Sequence, residues 1–238
     1  MPERSTLARV VVTAAAGVAL GNCGGAPTAP PSQPGQPKAD AALQAVSRSA
    51  LCVSAGRVEA PAERRLRVDM GGVRAVVASD RSHAAALAFV YRGPSVSTAP
   101  LASGELRRQI GLKLRAQDTC NVVYVMWHVE PSSGVFVSVK HNAGASTHGE
   151  CGAGGYENLK PRHSSAAPLI EPGAAHVLEA VLDGLDIVVK ADGNVVWRGE
   201  LPASALEFDG PVGLRSDNGT FDFELRVPGG SRAGGTCP

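Results

Sequence analysis

Side chains able to bind or transform a ligand concentrate in three places. The first is Tyr124-Val125-Met126-Trp127-His128-Val129-Glu130. Successive side chains of an extended chain point to opposite faces, so Val123, Val125, Trp127 and Val129 share one face and Tyr124, Met126, His128 and Glu130 the other. The valine-rich face belongs inside a core. The other then lies on an outer surface, where a ring offers stacking to a sugar and imidazole or carboxylate groups reach its hydroxyls. Phe136, Ser138, Lys140 and Asn142 form the equivalent row on the next segment, and Arg92, Gln109 and Lys113 are further polar candidates for the same sheet. If the two segments form a hairpin, their rows lie about 5 Å apart, which brings Tyr124 or His128 towards Ser138 or Lys140. The second place is the glycine-rich loop His141–Tyr156, which carries His148, Glu150 and Tyr156. An extended backbone sets His148 and Glu150 on one side, as ligand contacts or as an acid/base pair. With Glu130 they are the catalytic candidates. The third place is Asp217 and Asp222, which bracket the turn formers Asn218-Gly219.

These residues need strands to position them. From Arg65 onward the hydrophobic pattern has period two, clearest in Phe221-Asp222-Phe223-Glu224-Leu225-Arg226-Val227. Ile110, Leu112 and Leu114 alternate with polar neighbours, as do Val135, Val137 and Val139. Leu185–Lys190 runs into Asp192-Gly193, a hairpin signal, and then into Asn194–Arg198. Further strands are expected at 65–69, 73–78, 85–91, 121–130, 176–183 and 211–215, with helix only at 40–50 and 203–207. Roughly ten or eleven strands with one apolar face each specify two packed sheets, an all-β antiparallel sandwich forming a single domain over residues 39–238.

The N-terminus is of another kind. Arg4 and Arg9 precede the uncharged stretch Val10–Leu20, shorter than the about 20 apolar residues that span a bilayer but of signal-peptide length. Residues 1–22 therefore read as a signal peptide. Leu20-Gly21-Asn22-Cys23 resembles the lipobox of bacterial lipoproteins, with Asn22 where a smaller residue is usual. That resemblance implies acylation of Cys23 and attachment to a membrane of the bacterial cell envelope, periplasmic or surface. Residues 23–38, rich in Pro, Gly and Ala, read as an extended tether. The whole chain has 23 basic and 22 acidic residues, which leaves no electrostatic footprint for nucleic acid. An exported domain holds disulfides, and the expected pairs are Cys120–Cys151 and Cys52–Cys237, with Cys23 left for lipid. The spacing holds no Cys-x-x-Cys or Cys/His ligand motif. A monomer is expected.

Leu185–Trp197, then Gly210-Pro211-Val212-Gly213-Leu214-Arg215-Ser216-Asp217-Asn218 and the closing run 221–227, resemble the end of a concanavalin A-like jelly roll. Laminin G-like modules and 3-keto-disaccharide hydrolase-like domains are of this kind. The resemblance implies a jelly-roll sandwich whose concave sheet receives glycans, and no cofactor beyond a possible Ca²⁺ at Asp217 and Asp222. Two carboxylates are few for an ion that takes 6–8 oxygens. Glucanases of this fold carry Glu-x-Asp-x-x-Glu, which is absent here, as is the hydrolase elbow Gly-x-Ser-x-Gly. The reading therefore favours a module binding a glycan or an envelope protein through Tyr124, His128, Lys140, Asn142, His148 and Tyr156. A carbohydrate-active enzyme and a structural envelope protein are the alternatives.

Overall fold

Alternation of apolar and polar residues builds two sheets. The computed structural model describes residues 42–62 and 64–229. The leader, Cys23, the tether and Cys237, and with Cys237 the expected Cys52–Cys237 bridge, lie outside the described residues. The strands are β1 (Leu43–Ala45), β2 (Leu51–Ala55), β3 (Glu59–Ala62), β4 (Arg65–Met70), β5 (Val73–Val77), β6 (Ala84–Pro94), β7 (Arg108–Leu114), β8 (Val122–Glu130) and β9 (Gly134–Lys140). After a one-turn helix α1 (His148–Cys151) come β10 (Tyr156–Asn158), β11 (His163–Ser164), β12 (Ala175–Asp183), β13 (Asp186–Ala191), β14 (Asn194–Glu200), β15 (Gly213–Asp217) and β16 (Gly219–Pro228).

A nine-stranded sheet has the order β11-β14-β13-β12-β6-β16-β4-β3, with β1 also on β16. A seven-stranded sheet has the order β10-β9-β8-β7-β15-β5-β2. Every ladder among the described residues is antiparallel. The expected all-β, two-sheet antiparallel sandwich is the observed one.

The core lies between the sheets. Leu66, Leu87, Leu178, Ile187, Phe221 and Leu225 from one meet Ile110, Leu112, Val125, Trp127 and Leu214 from the other, all buried. Phe89 on β6 presents its face or edge to Trp127 on β8 at a ring separation of 5.5 Å and to Phe221 at 6.0 Å, both nearly perpendicular. Such aromatic pairs add about 0.5–1.5 kcal/mol beyond the area they bury. Trp127 is thus the point where the two layers key together.

Two turns behave as their residues dictate. Asp192 and Gly193 both take positive φ, 49° and 80°, which matches the twist of the β13–β14 hairpin. Asn218, at φ 56°, carries the chain from β15 in one sheet to β16 in the other. Its side-chain amide accepts from the Ala99 N–H and donates to the carbonyls of Ala99 and Arg107, so one residue both makes the corner and pins the 95–107 connection.

The expected helix at 40–50 is not formed. Leu43–Ala45 pair with Pro228–Arg226, the Val46 N–H donates to the Leu225 carbonyl, and only Arg48–Ala50 make a 3₁₀ turn. Ladder hydrogen bonds to the end of β16, together with burial of Val46, outweigh the weak helical preference of the Ala/Leu composition. Ala203–Leu206 is helical as expected, though 3₁₀. Arg92 is also displaced from expectation. It stands on β6 of the nine-stranded sheet, where it binds Asp222.

Replacing Trp127 by Ala should cost about 3–5 kcal/mol of stability. Chemical denaturation should show the midpoint falling with little change in slope, and an unchanged midpoint would refute the role of this ring in joining the sheets.

Candidate functional site

The register of the seven-stranded sheet decides which side chains meet on its outer face. Gln109 lies opposite both His128 and Asp217, Lys113 opposite both Tyr124 and Gly213, and Arg215 opposite both Gly111 and Arg74. On β9, Ser138 faces Tyr124 and Phe136 faces Met126. The expected β8–β9 hairpin is therefore present. Val123, Val125 and Trp127 point into the core, while Tyr124, Met126 and His128 occupy the opposite face. That face is not the open, solvated row expected from alternation alone, because these three side chains are nearly covered. Long neighbours lie flat across them.

Arg215 is the main cover. Its guanidinium sits 4.9 Å from the centre of the Tyr124 ring and donates to the Tyr156 hydroxyl at 3.4 Å. Gly111, in the same register row, leaves the lane clear. A Cβ there would fall 2.1 Å from the Val125 carbonyl oxygen and 2.8 Å from the Met126 sulfur. Tyr156 stacks on Tyr124 at 6.0 Å, and Phe136 stacks on His128 at 4.2 Å. Each pair thus has one buried ring and one exposed ring. Tyr156 and Phe136 remain 44% and 45% exposed.

Beneath these rings is a charged cluster. Asp217 accepts from Arg74 at 2.7 Å on one oxygen, and from Arg215 at 2.8 Å and Gln109 at 2.6 Å on the other. Burial alone would raise this carboxyl, but the two guanidiniums and the amide outweigh it and hold the group below its ordinary value. Lys113 joins the cluster from β7. Burial first, then the nearby Arg74 and Arg215, push its ammonium down to about 8. Burial likewise pushes His128 down to about 3, with Arg107 and Arg215 adding to the effect, so its imidazole is neutral at physiological pH.

The 141–156 loop is tied to this sheet by the expected Cys120–Cys151 disulfide. Closing a loop of 31 residues contributes about 3–4 kcal/mol in the chain-entropy account. Lys140 is fully buried below the loop. Its ammonium donates to the carbonyls of Thr119 and Gly152 and to the Cys151 sulfur, while its charge lies 5.2 Å from the Tyr156 ring centre. Asn142 donates to the Cys120 and Gly154 carbonyls. Both residues therefore hold the loop that presents Tyr156. His148 and Glu150 are exposed on α1. Glu150 accepts from the N–H groups of Ser146 and Thr147 and from the Thr147 hydroxyl, which hold its carboxyl down at about 2. A group so held keeps its charge rather than exchanging a proton near neutrality. Glu130, at the end of β8, pairs with Arg108.

Asp217 and Asp222 stand on different sheets. Asp222 binds Arg67 and Arg92. Their oxygens face guanidiniums, and among the described residues no group of three or more His, Cys, Asp or Glu side chains is arranged to hold a metal ion. A Ca²⁺ at either carboxylate would have to displace an arginine. The part of the site that sequence reasoning missed is Arg74 and Arg215, and with them the role of Asp217, which the sequence marks only as a Ca²⁺ candidate. Arg74 and Asp217 alternate with core residues, but their meeting depends on β5 and β15 being neighbours.

No family model matches the chain, and no curated protein does. Among solved structures it is similar to the carbohydrate binding module CBM66 from Bacillus subtilis, with 13% identity, a TM-score of 0.50, and coverage of 73% of this chain and 91% of that one. The metal-free Emp46p carbohydrate recognition domain matches at 8% identity and TM-score 0.46, covering 75% of this chain and 87% of that one. A tetrameric galectin from Cinachyrella sp. (Ball sponge) matches at 8% identity and TM-score 0.39, covering 68% and 96%. The likeness is one of fold. What is shared with the CBM66 structure is the two-sheet antiparallel β-sandwich, the fold that the resemblance of the closing strands implied.

The buried imidazole sets a pH dependence. Between about 3 and 6.5 the unfolded chain holds a proton at His128 that the folded chain does not, so stability rises with pH across that window and falls on acidification. Thermal melts from pH 7 to pH 4 should show a decline that is shallower in His128→Gln. Parallel declines in the two proteins would contradict a neutral, buried His128.

Proposed function

We propose that the chain is an exported, lipid-anchored module that binds a glycan of the cell envelope on the outer face of its seven-stranded sheet. One observation carries the reading: the exposed rings of Tyr156 and Phe136 flank His128 and Lys113, buried polar side chains that make no hydrogen bond among the described residues. A pyranose needs this combination, since its C–H face stacks on a ring and its hydroxyls seek donors and acceptors that no protein group already uses. Rigid backing by Tyr124 and Arg215 keeps Tyr156 from losing much side-chain freedom on binding. The likeness of fold to a structure named a carbohydrate binding module is consistent with this role. Binding is favoured over turnover because Glu130 is paired with Arg108 and Glu150 with its own helix start, which leaves neither placed as a proton carrier.

The anchor reading rests on the lipobox resemblance at Leu20–Cys23 and on the tether that follows. In a bacterial host the chain should fractionate with membranes, and Cys23→Ser should release it to the soluble fraction; equal membrane association of both would remove the lipid anchor from this reading.

A polysaccharide screen with the protein made in an oxidising compartment tests the site. Tyr156→Ala should weaken binding at least tenfold, about 1.4 kcal/mol or more, without lowering the melting temperature by more than a few degrees. A well-folded chain that binds no glycan would move the assignment to an envelope-protein partner or a structural role.

A further inference from the structure

We propose that the sugar received on this face carries a carboxylate, and that Lys113 is the residue that takes it, within the positive potential of Arg74 and Arg215. The inference rests on the glycan reading above and narrows its ligand to uronic-acid-type saccharides.

Three cations, Arg74, Lys113 and Arg215, share the cluster with one carboxylate, Asp217. Both Asp217 oxygens are engaged, one by Arg74 and the other by Arg215 and Gln109. His128 adds no charge, being neutral, and cannot serve as a counter-ion. Asp118 is the other carboxylate that attracts Lys113, but its oxygens accept from the N–H groups of Cys120 and Asn121 and from the side-chain amides of Asn121 and Gln117. Lys113 is 5% exposed and makes no hydrogen bond or ion pair among the described residues. An ammonium set this deep has lost much of its hydration and has no protein hydrogen bond in return, which is an unfavourable state. Methionine would fill the same length at no such cost. An anion arriving from outside supplies the missing partner.

The space beside Lys113 suits a small planar anion. A recess of about 40 Å³, lined by Lys113, Ser54, Val76, Ala116, Asp118 and Thr119 among others, opens beside it, and the Asp118 carboxylate there is occupied by its own donors. That is room for about three waters, which admits a planar carboxylate group. Lys113 lies directly opposite Tyr124, whose ring carries Tyr156, so the ammonium and the exposed ring belong to adjoining parts of one surface. A sugar stacked on Tyr156 with its carboxylate towards Lys113 uses both.

The test uses the full chain, produced in an oxidising compartment and held in detergent, with polygalacturonate, alginate, the methyl esters of both, and dextran sulfate as probes. Esterification keeps the sugar backbone and removes its charge. The expected result is binding of a uronate polymer at least tenfold tighter than its ester, weakened by added salt, with that preference lost in Lys113→Met. The melting temperature of Lys113→Met should be no lower than that of the parent; if Met disturbs the fold, Lys113→Gln serves in its place. Equal binding of acid and ester, unaffected by Lys113→Met yet abolished by Tyr156→Ala, would overturn this inference and leave the glycan reading standing. Binding of dextran sulfate without either uronate would overturn the carboxylate assignment. Failure of the parent chain to bind any probe, together with failure in the wider polysaccharide screen, would overturn both.

Discussion

The carboxylate of Asp217 joins three strands of the seven-stranded sheet on the side away from the core. Arg74 reaches it from β5, Gln109 from β7 and Arg215 from β15, all at hydrogen-bond distance. Burying that carboxylate is tolerable only because the guanidiniums remain with it, and burying Arg215 is tolerable for the reciprocal reason. Breaking such a pair from one side typically costs about 3–5 kcal/mol, more than most single core contacts provide. The rest of the outer face depends on this arrangement. With Arg215 anchored at Asp217, its guanidinium can lie over Tyr124 and touch Tyr156. With Tyr124 covered, the exposed Tyr156 has a firm surface to stack on.

The loop reaches the same place by a separate route. The Cys120–Cys151 bridge shortens the path between β8 and β10, and Lys140 fills the space beneath with three donated hydrogen bonds. Glu150 closes the first turn of α1. None of these groups needs a ligand to be satisfied, so they form the frame. Lys113 and His128 do retain hydrogen-bonding capacity that the protein leaves unused. The division between satisfied and unsatisfied polar groups, rather than polarity itself, separates the supporting part of this surface from the part that meets a partner.

Residues that alternation marked as equivalent therefore differ in role. Tyr124, Lys140 and Asn142 looked like ligand contacts because each stands on the outward parity of its strand or just beyond it. Tyr124 serves as backing for Tyr156, and Lys140 and Asn142 hold the loop. Arg92 had the same appearance and belongs to the other sheet altogether. Lys113, mentioned only as a further polar neighbour, is the buried cation left without a protein hydrogen bond among the described residues.

What the sequence by itself determined is parity. Val123, Val125 and Trp127 face inward, as do Ile110, Leu112 and Leu114, because a period-two pattern is local and any pairing register must keep the apolar set between the sheets. The hairpin at Asp192-Gly193 and the corner at Asn218 were legible for a similar reason, since each turn's backbone requirement is met by its own residues. The segment 40–50 was not legible. Its strand exists only because β16 is there to accept it, 185 residues along the chain at the Leu43–Pro228 pair. Only the tertiary structure decided which outward residues meet. Arg74 and Asp217 are 143 positions apart, and no local pattern encodes that β5 and β15 are neighbours. Strand order is a property of the whole packed sandwich, and the charge cluster is a property of strand order.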